Sequence, residues 1–282
     1  MYIINNTCWL YISVFYGRDS WSMLIEKAHS FYLNNIKEIF YFLLYLSDIR
    51  GEHIRIAFAS ELNQKKNVKM QKKIDEYFQS FTQSNPSSSA KKFQYGKFIW
   101  KYFENNTVVW NNFEIRKYEK SSIKFAQRTT FLIRYLLKND TSIDNTFSVG
   151  LFLCTQLSRL LDKKNIDSTF NMINDNIINN YDNFDSYNET LGLTTQNNIN
   201  IINIFRIIEE YYEKDHYDNL GMACYDEWLN EAELLFSLYE NNQAFTILSS
   251  IICDHLGIYG SNHLLIINFL QRWFNHKDII QK

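Results

Sequence analysis

Proline occurs once in this 282-residue chain, at Pro86, and glycine only eight times. The glycine patterns of phosphate and dinucleotide binding are missing: there is no P-loop and no G-x-G-x-x-G after a strand. H-E-x-x-H and G-x-S-x-G are missing too, so the common zinc-protease and serine-hydrolase chemistries have no anchor. The four cysteines, Cys8, Cys154, Cys224 and Cys253, show no C-x-x-C spacing, which excludes a zinc knuckle or a disulfide framework and reads as reduced thiols. The net charge is −2 and no segment is a strongly basic run, so nucleic acid has no electrostatic footprint here. Lys65 to Lys73 comes closest, but its lysines spread over an expected helix and read as a solvated face. The longest apolar run, Ile39 to Leu46, is far too short for a bilayer, and the first residues lack a basic n-region and a cleavage site. These absences lead to the expectation of a soluble, cytoplasmic protein without membrane contact. Neither a metal nor a cofactor is expected.

What is abundant is Asn, Ile, Lys and Tyr, the signature of an AT-rich coding sequence, so clusters of Asn carry little local meaning. The first 118 residues read as mixed α and β. Cys8 to Tyr16 is an aromatic, β-branched run closed by Gly17, hence a strand. Asp19 or Ser20 can cap a helix to about Asn34, with Trp21, Leu24, Ile25, Ala28, Phe31 and Tyr32 at helical spacing. Ile39–Leu46 and His53–Ala59 flank the turn Asp48–Gly51 and form a hairpin. An amphipathic helix over Lys65–Phe81, a loop at Asn85–Ser89, and strands at Gly96–Phe103 and Val108–Tyr118 complete a β-α-β-β-α-β order, that of a ferredoxin-like split unit. From Ser121 onward the pattern is helical: Ile123–Leu137, Phe147–Leu161, Ile199–Tyr212, Tyr225–Tyr239, Ala244–Leu256 and His263–Phe274, with Ile166–Asn198 a long Asn-rich loop holding a short helix. No linker composition marks a boundary near 119. The expected architecture is therefore a single α+β domain over 1–282, a ferredoxin-like sheet covered and extended by a C-terminal helical layer.

His53 to Phe58 alternates strictly. Ile54, Ile56 and Phe58 fall on one face; His53, Arg55 and Ala57 fall on the other. Alternation alone reads as an antiparallel strand with one wet face. The alternative is a wall for an anion, because Arg offers a planar fork for a carboxylate and His exchanges protons near neutral pH; Arg50 in the turn adds a further cation. A carboxylate group, Glu209, Glu210, Glu213 and Asp215 with His216, reads as a solvated helix face rather than a metal site.

Trp9 and Tyr11 in a first strand, the aromatic strand Phe40–Tyr45, Asp48 in the turn and His53-Ile54-Arg55-Ile56-Ala57-Phe58 together resemble the start of the thiopeptide-type bacteriocin biosynthesis domain. This is the C-terminal elimination domain of class I lantibiotic dehydratases, found also as a free protein. The family pattern has a second Arg where this chain has Ala57, and an Arg near Tyr45-Leu46 is replaced. Phe113-Glu114-Ile115-Arg116-Lys117-Tyr118 resembles the family's E-x-x-R-Y landmark, with Lys117 at the Arg position and Arg116 as a neighbouring cation. Asn262 to Leu270 resembles a third landmark, H-M-x-x-N-R-L, with His263 and Asn268 one residue too far apart and Phe269 at the Arg position. Taken alone, a His in a Leu/Ile-rich helix reads as a satisfied buried histidine.

The resemblance implies a reaction on a ribosomally made precursor peptide, leader plus core. In the family a Ser or Thr arrives glutamylated; the domain removes the α-proton and expels glutamate, leaving a dehydroamino acid. It implies His263 as base and Arg55 as the partner of the enolate or carboxylate. His53, Arg50, Glu114, Arg116, Lys117 and Asn268 would bind or orient the substrate, and a separate glutamylating subunit is an implied partner. Two alternatives stay open: a [4+2] pyridine-forming cycloaddition on two dehydroalanines, which needs no glutamate clamp, and a non-catalytic subunit that binds the peptide or a dehydratase partner.

Overall fold

A computed structural model describes residues 2–4, 7–48, 51–88, 103–110, 121–161, 166–179, 198–213 and 223–280. The chain forms two compact units. One comprises Met1–Glu119, Thr130–Thr146 and His255–Gly257; the other comprises Lys120–Thr129, Phe147–Asp254 and Ile258–Lys282. The fold class is α+β, as expected.

The first unit carries an antiparallel sheet of β1 (Tyr2–Ile4), β2 (Thr7–Phe15), β3 (Ile39–Ser47), β4 (His53–Glu61) and β5 (Thr107–Trp110). Its order is β2-β4-β3, with β1 and β5 pairing opposite ends of the other edge of β2. Without the short β1, the order β5-β2-β4-β3 is that of the ferredoxin-like split unit read from the sequence. The expected strand at Gly96–Phe103 falls almost wholly outside the described residues, as does the later part of Val108–Tyr118.

Helices α1 (Trp21–Asn34) and α2 (Gln64–Ser84) connect these strands. The residues at helical spacing in α1, Trp21, Leu24, Ile25, Ala28, Phe31 and Tyr32, are the ones it buries. Ser20 stands at the N-cap but makes no side-chain cap bond, whereas Asn63 caps α2 by accepting from the Lys66 backbone N–H. Both helices lie on the Ile54/Ile56/Phe58 face of β4: the Phe58 ring is 5.3 Å from Phe31 and 6.4 Å from Phe78.

The opposite face corrects the simplest reading of the alternation. It is not wet. His53 is 1 % exposed, Ala57 and Ala59 are 0 %, and Trp9, Tyr11, Leu43 and Tyr45 on the flanking strands are buried with them. A period of two says which residues share a face; it does not say whether water reaches that face.

The edge strand β3 is closed by polar contacts from later in the chain. The Leu44 backbone N–H donates to Thr130 Oγ1 at 3.2 Å, and that hydroxyl meets His255 Nδ1 at 3.1 Å. The His255 ring lies 4.5 Å from that of Tyr45. Next to it Gly257 has φ +71, and a Cβ there would stand 2.6 Å from the Leu46 carbonyl oxygen, so both conformation and space require glycine. Burial pushes the His255 imidazole down from 6.5 to about 3. The folded chain holds it neutral where an unfolded chain would protonate it. Its contribution is therefore intact above about 6.5 and is lost as pH falls towards about 3. The expected result is a loss of up to about 1.4 kcal/mol per pH unit across that window. Urea midpoints measured against pH should show this slope in the natural protein and a shallower one in His255→Asn.

The second unit is helical. Its elements are the start of α3 (Ile123–Leu136), most of α4 (Ile143–Ser158), α5 (Ile166–Asn179), α6 (Asn198–Glu213), α7 (Ala223–Leu238), α8 (Asn241–Leu256) and α9 (Ser261–Ile280). Helix α4 starts before the expected Phe147 because Ser142 Oγ accepts from the Asn145 backbone N–H, a local cap. Helix α5 is a full helix of 14 residues despite its Asn and Asp content, because Phe170 and Ile173 are wholly buried one turn apart. Trp228 is fully buried against Phe125 at 5.4 Å, and its indole N–H donates to Thr129 Oγ1 at 3.0 Å. Glu209, Glu210 and Glu213 are exposed on α6. No helix among the described residues is long and apolar enough to cross a membrane.

Candidate functional site

The polar end of the second sheet face is built where β2, β3 and β4 run side by side. In the register, Arg55 lies between Ser13 of β2 and Tyr45 of β3, and His53 lies between Phe15 and Ser47. Opposite residues of an antiparallel pair share a face, so all six are neighbours on one wall. The half-buried Arg55 donates through Nε to His53 Nε2 at 3.2 Å and through a terminal nitrogen to Ser47 Oγ at 2.9 Å.

These bonds fix the tautomer of His53. A guanidinium N–H can only donate, so Nε2 accepts, and the proton sits on Nδ1, which donates to the Gly51 carbonyl at 2.8 Å. Phe15 stacks on the imidazole at 4.6 Å and Phe103 packs on Phe15 at 4.7 Å. The His53 lone pair is thus engaged by Arg55 and holds the guanidinium in this orientation.

The turn before His53 is itself held. One terminal nitrogen of Arg18, Nη2, donates to both carboxylate oxygens of Asp48, at 2.6 and 2.7 Å. Arg18 also donates to the Thr141 carbonyl at 3.0 Å, lies 4.2 Å over the Trp21 ring, and has its backbone N–H bound by Glu52 at 2.9 Å. The Asp48 of the sequence landmark thus anchors the hairpin that carries His53 and Arg55.

Away from this polar end the face becomes aromatic. Ala57 is wholly buried between Tyr11 and Leu43 in the register. Beyond it Trp9 stacks with Tyr11 at 5.9 Å and with Tyr41 at 6.3 Å. Among the described residues the wall carries the Arg55 guanidinium beside buried aromatic rings.

Two more of the expected site residues are described, both in the second unit. His263 on α9 is 1 % exposed, and its Nε2 lies 3.3 Å from Ser249 Oγ of α8. Asn268 donates to the Leu264 carbonyl of its own helix at 2.9 Å. Arg50, Glu114, Arg116 and Lys117 lie outside the described residues. Sequence reasoning missed Ser47, Phe15 and Arg18. Extending the expected strand by one residue would have placed Ser47 opposite His53; Arg18 carried no local signal.

No family model matches the chain, and no curated protein matches it. Among solved structures it is similar to a pyridine synthase, TbtD, from thiomuracin biosynthesis, with a TM-score of 0.62 at 12 % identity, covering 95 % of this chain and 98 % of that one. At that identity the two share a fold.

Proposed function

We propose that this chain modifies a ribosomally made precursor peptide through dehydroamino-acid chemistry, by elimination of glutamate from glutamylated Ser or Thr. The observation that carries the reading is the Arg55 guanidinium, oriented by His53 and Ser47 in an otherwise buried wall. A fixed fork in such a wall suits an anion: the enolate-like charge formed when the α-proton leaves, or the carboxylate of departing glutamate. As the Cα proton goes to a base, the Cα=Cβ double bond forms, the Cβ–O bond breaks and glutamate leaves with the electron pair. His263 is the base that the family resemblance implies, and it is tested by itself: its replacement by Ala is expected to lower turnover by about 10²–10⁴-fold.

A second reading is a [4+2] pyridine-forming cyclisation. Ala57, wholly buried where the family pattern has a second Arg, favours it, as does the shared fold with a pyridine synthase. The third, a peptide- or partner-binding subunit, makes no demand on Arg55.

The test offers the purified protein two synthetic peptides, one with a glutamylated Ser and one with two dehydroalanines, and reads products by mass spectrometry. Release of glutamate with formation of dehydroalanine supports elimination. Ring closure on the second peptide alone moves the assignment to cyclisation. Turnover of neither, with retention of a dehydratase partner on co-purification, supports the binding subunit.

A further inference from the structure

A second surface of the first unit lies far from Arg55. Strand β4 begins at His53 and ends at Glu61, so its two ends are about 26 Å apart at the usual rise per residue. At the far end, the α1–β3 turn, the end of β4 and the start of α2 enclose a cavity of ≈ 370 Å³. Its lining carries three lysines (Lys37, Lys66, Lys69) and two carboxylates (Glu38, Glu61), with Phe40 and Met70 as the apolar part and Ser60 and Asn67 as the polar part. Ser60 and Asn67 are buried and bonded to each other at 2.9 Å, which gives the cavity a polar floor.

Three features of this rim are costly unless something uses them. First, Lys65, Lys66, Lys69, Lys72 and Lys73 crowd the first half of α2, and no carboxylate occurs between Leu62 and Ile74. The N-terminal end of a helix is its positive end, so cations in its first turn are unfavourable there. Lys66 reaches Glu61 at 3.3 Å and Lys72 reaches Glu76 at 3.6 Å; Lys65 and Lys69 form no ion pair among the described residues.

Second, the β3–β4 ladder shifts register between Ile39 and Tyr41, and the residue at the irregularity, Phe40, is 50 % exposed. A bulge re-aims a side chain, and here it presents a phenyl ring at the cavity. Third, the residues beside the lining in sequence expose further apolar surface: Ile36 at 53 %, Leu62 at 44 % and Val68 at 61 %.

We propose that this surface docks an acidic, amphipathic peptide segment, with carboxylates on the α2 lysines and an apolar side chain in the cavity against Phe40. Glu61 is already taken by Lys66, and the remaining lysines, Lys37 and Lys69 of the lining with Lys65 beside them on α2, outnumber the one other lining carboxylate, Glu38, so the rim favours an anionic partner. The exposed Phe40, Ile36 and Leu62 select apolar side chains between its charges, which a phosphate backbone lacks. The surface stands apart from the reaction proposed above, since binding is read without turnover.

The test is fluorescence anisotropy with three labelled synthetic peptides and one labelled single-stranded oligonucleotide. One peptide places Leu at i, i+3, i+4 with Glu between; the second has Lys for every Glu; the third has Gly for every Leu. The expected result is saturable binding of the Glu/Leu peptide that weakens as salt is raised. It should fall by roughly tenfold or more in the Lys66→Glu/Lys69→Glu double variant and independently in Phe40→Ser. All three positions are exposed rim or bulge sites, and unchanged thermal melts will show that the variants fold. The proposal is overturned if the Lys peptide or the Gly peptide binds as well, if the oligonucleotide binds more tightly, or if the variants bind like the natural protein. Failure here leaves the product assay on glutamylated peptide unaffected.

Discussion

Arg55→Ala is expected to lower turnover of a glutamylated peptide by about 10²–10³-fold, the effect of removing one fixed donor from a developing anion. The expectation rests on how Arg55 is held. His53 Nε2 takes Nε and Ser47 Oγ takes a terminal nitrogen, so the fork is oriented before substrate arrives. Arg55→Lys keeps the charge and loses both the plane and the paired donors, so it should recover only a small part of the activity. His53→Phe keeps the stack on Phe15 but removes the acceptor; its loss should be smaller and fall on kcat, with partial recovery in His53→Asn. Single-turnover kinetics with melting curves will separate these effects from unfolding. Full activity in Arg55→Ala would remove this residue from the mechanism.

Phe58→Ala should destabilise the first unit by about 3–5 kcal/mol, as removal of a buried aromatic does when the site cannot collapse. Phe58 is 0 % exposed and three rings surround it: Phe31 at 5.3 Å, Phe42 at 5.7 Å and Phe78 at 6.4 Å. These rings come from α1, β3 and α2, so no single neighbour can fill the space. Val68→Ala, on the exposed side of α2, should stay within about 0.5 kcal/mol. Denaturant midpoints for the two variants test the contrast, and a loss below about 1 kcal/mol for Phe58→Ala would mean that the helices are not held to the sheet through this cluster.

The face of β4 that meets the helices was readable from Ile54, Ile56 and Phe58 alone, and the buried face of α1 from the spacing of Trp21 to Tyr32. Both follow from backbone period, which is a local property. The hairpin of β3 and β4 was readable as well, because a short turn leaves few ways to pair two apolar runs. Helix α5 was underestimated for the opposite reason: Asn-rich propensity is local, while burial of Phe170 and Ile173 is not.

The sequence by itself determined the α+β order, the strand that bears His53 and Arg55, and the fact that these two side chains point the same way. Tertiary structure decided what surrounds them there. It set Ser47 and Phe15 beside them through cross-strand register, locked the preceding turn with Arg18 from before α1, and buried a face that alternation would leave wet. It also turned Phe40 outward at a shift in the ladder. Each of these depends on partners far away in the chain. Periodicity records which side of a strand a residue occupies; only packing fixes what stands opposite.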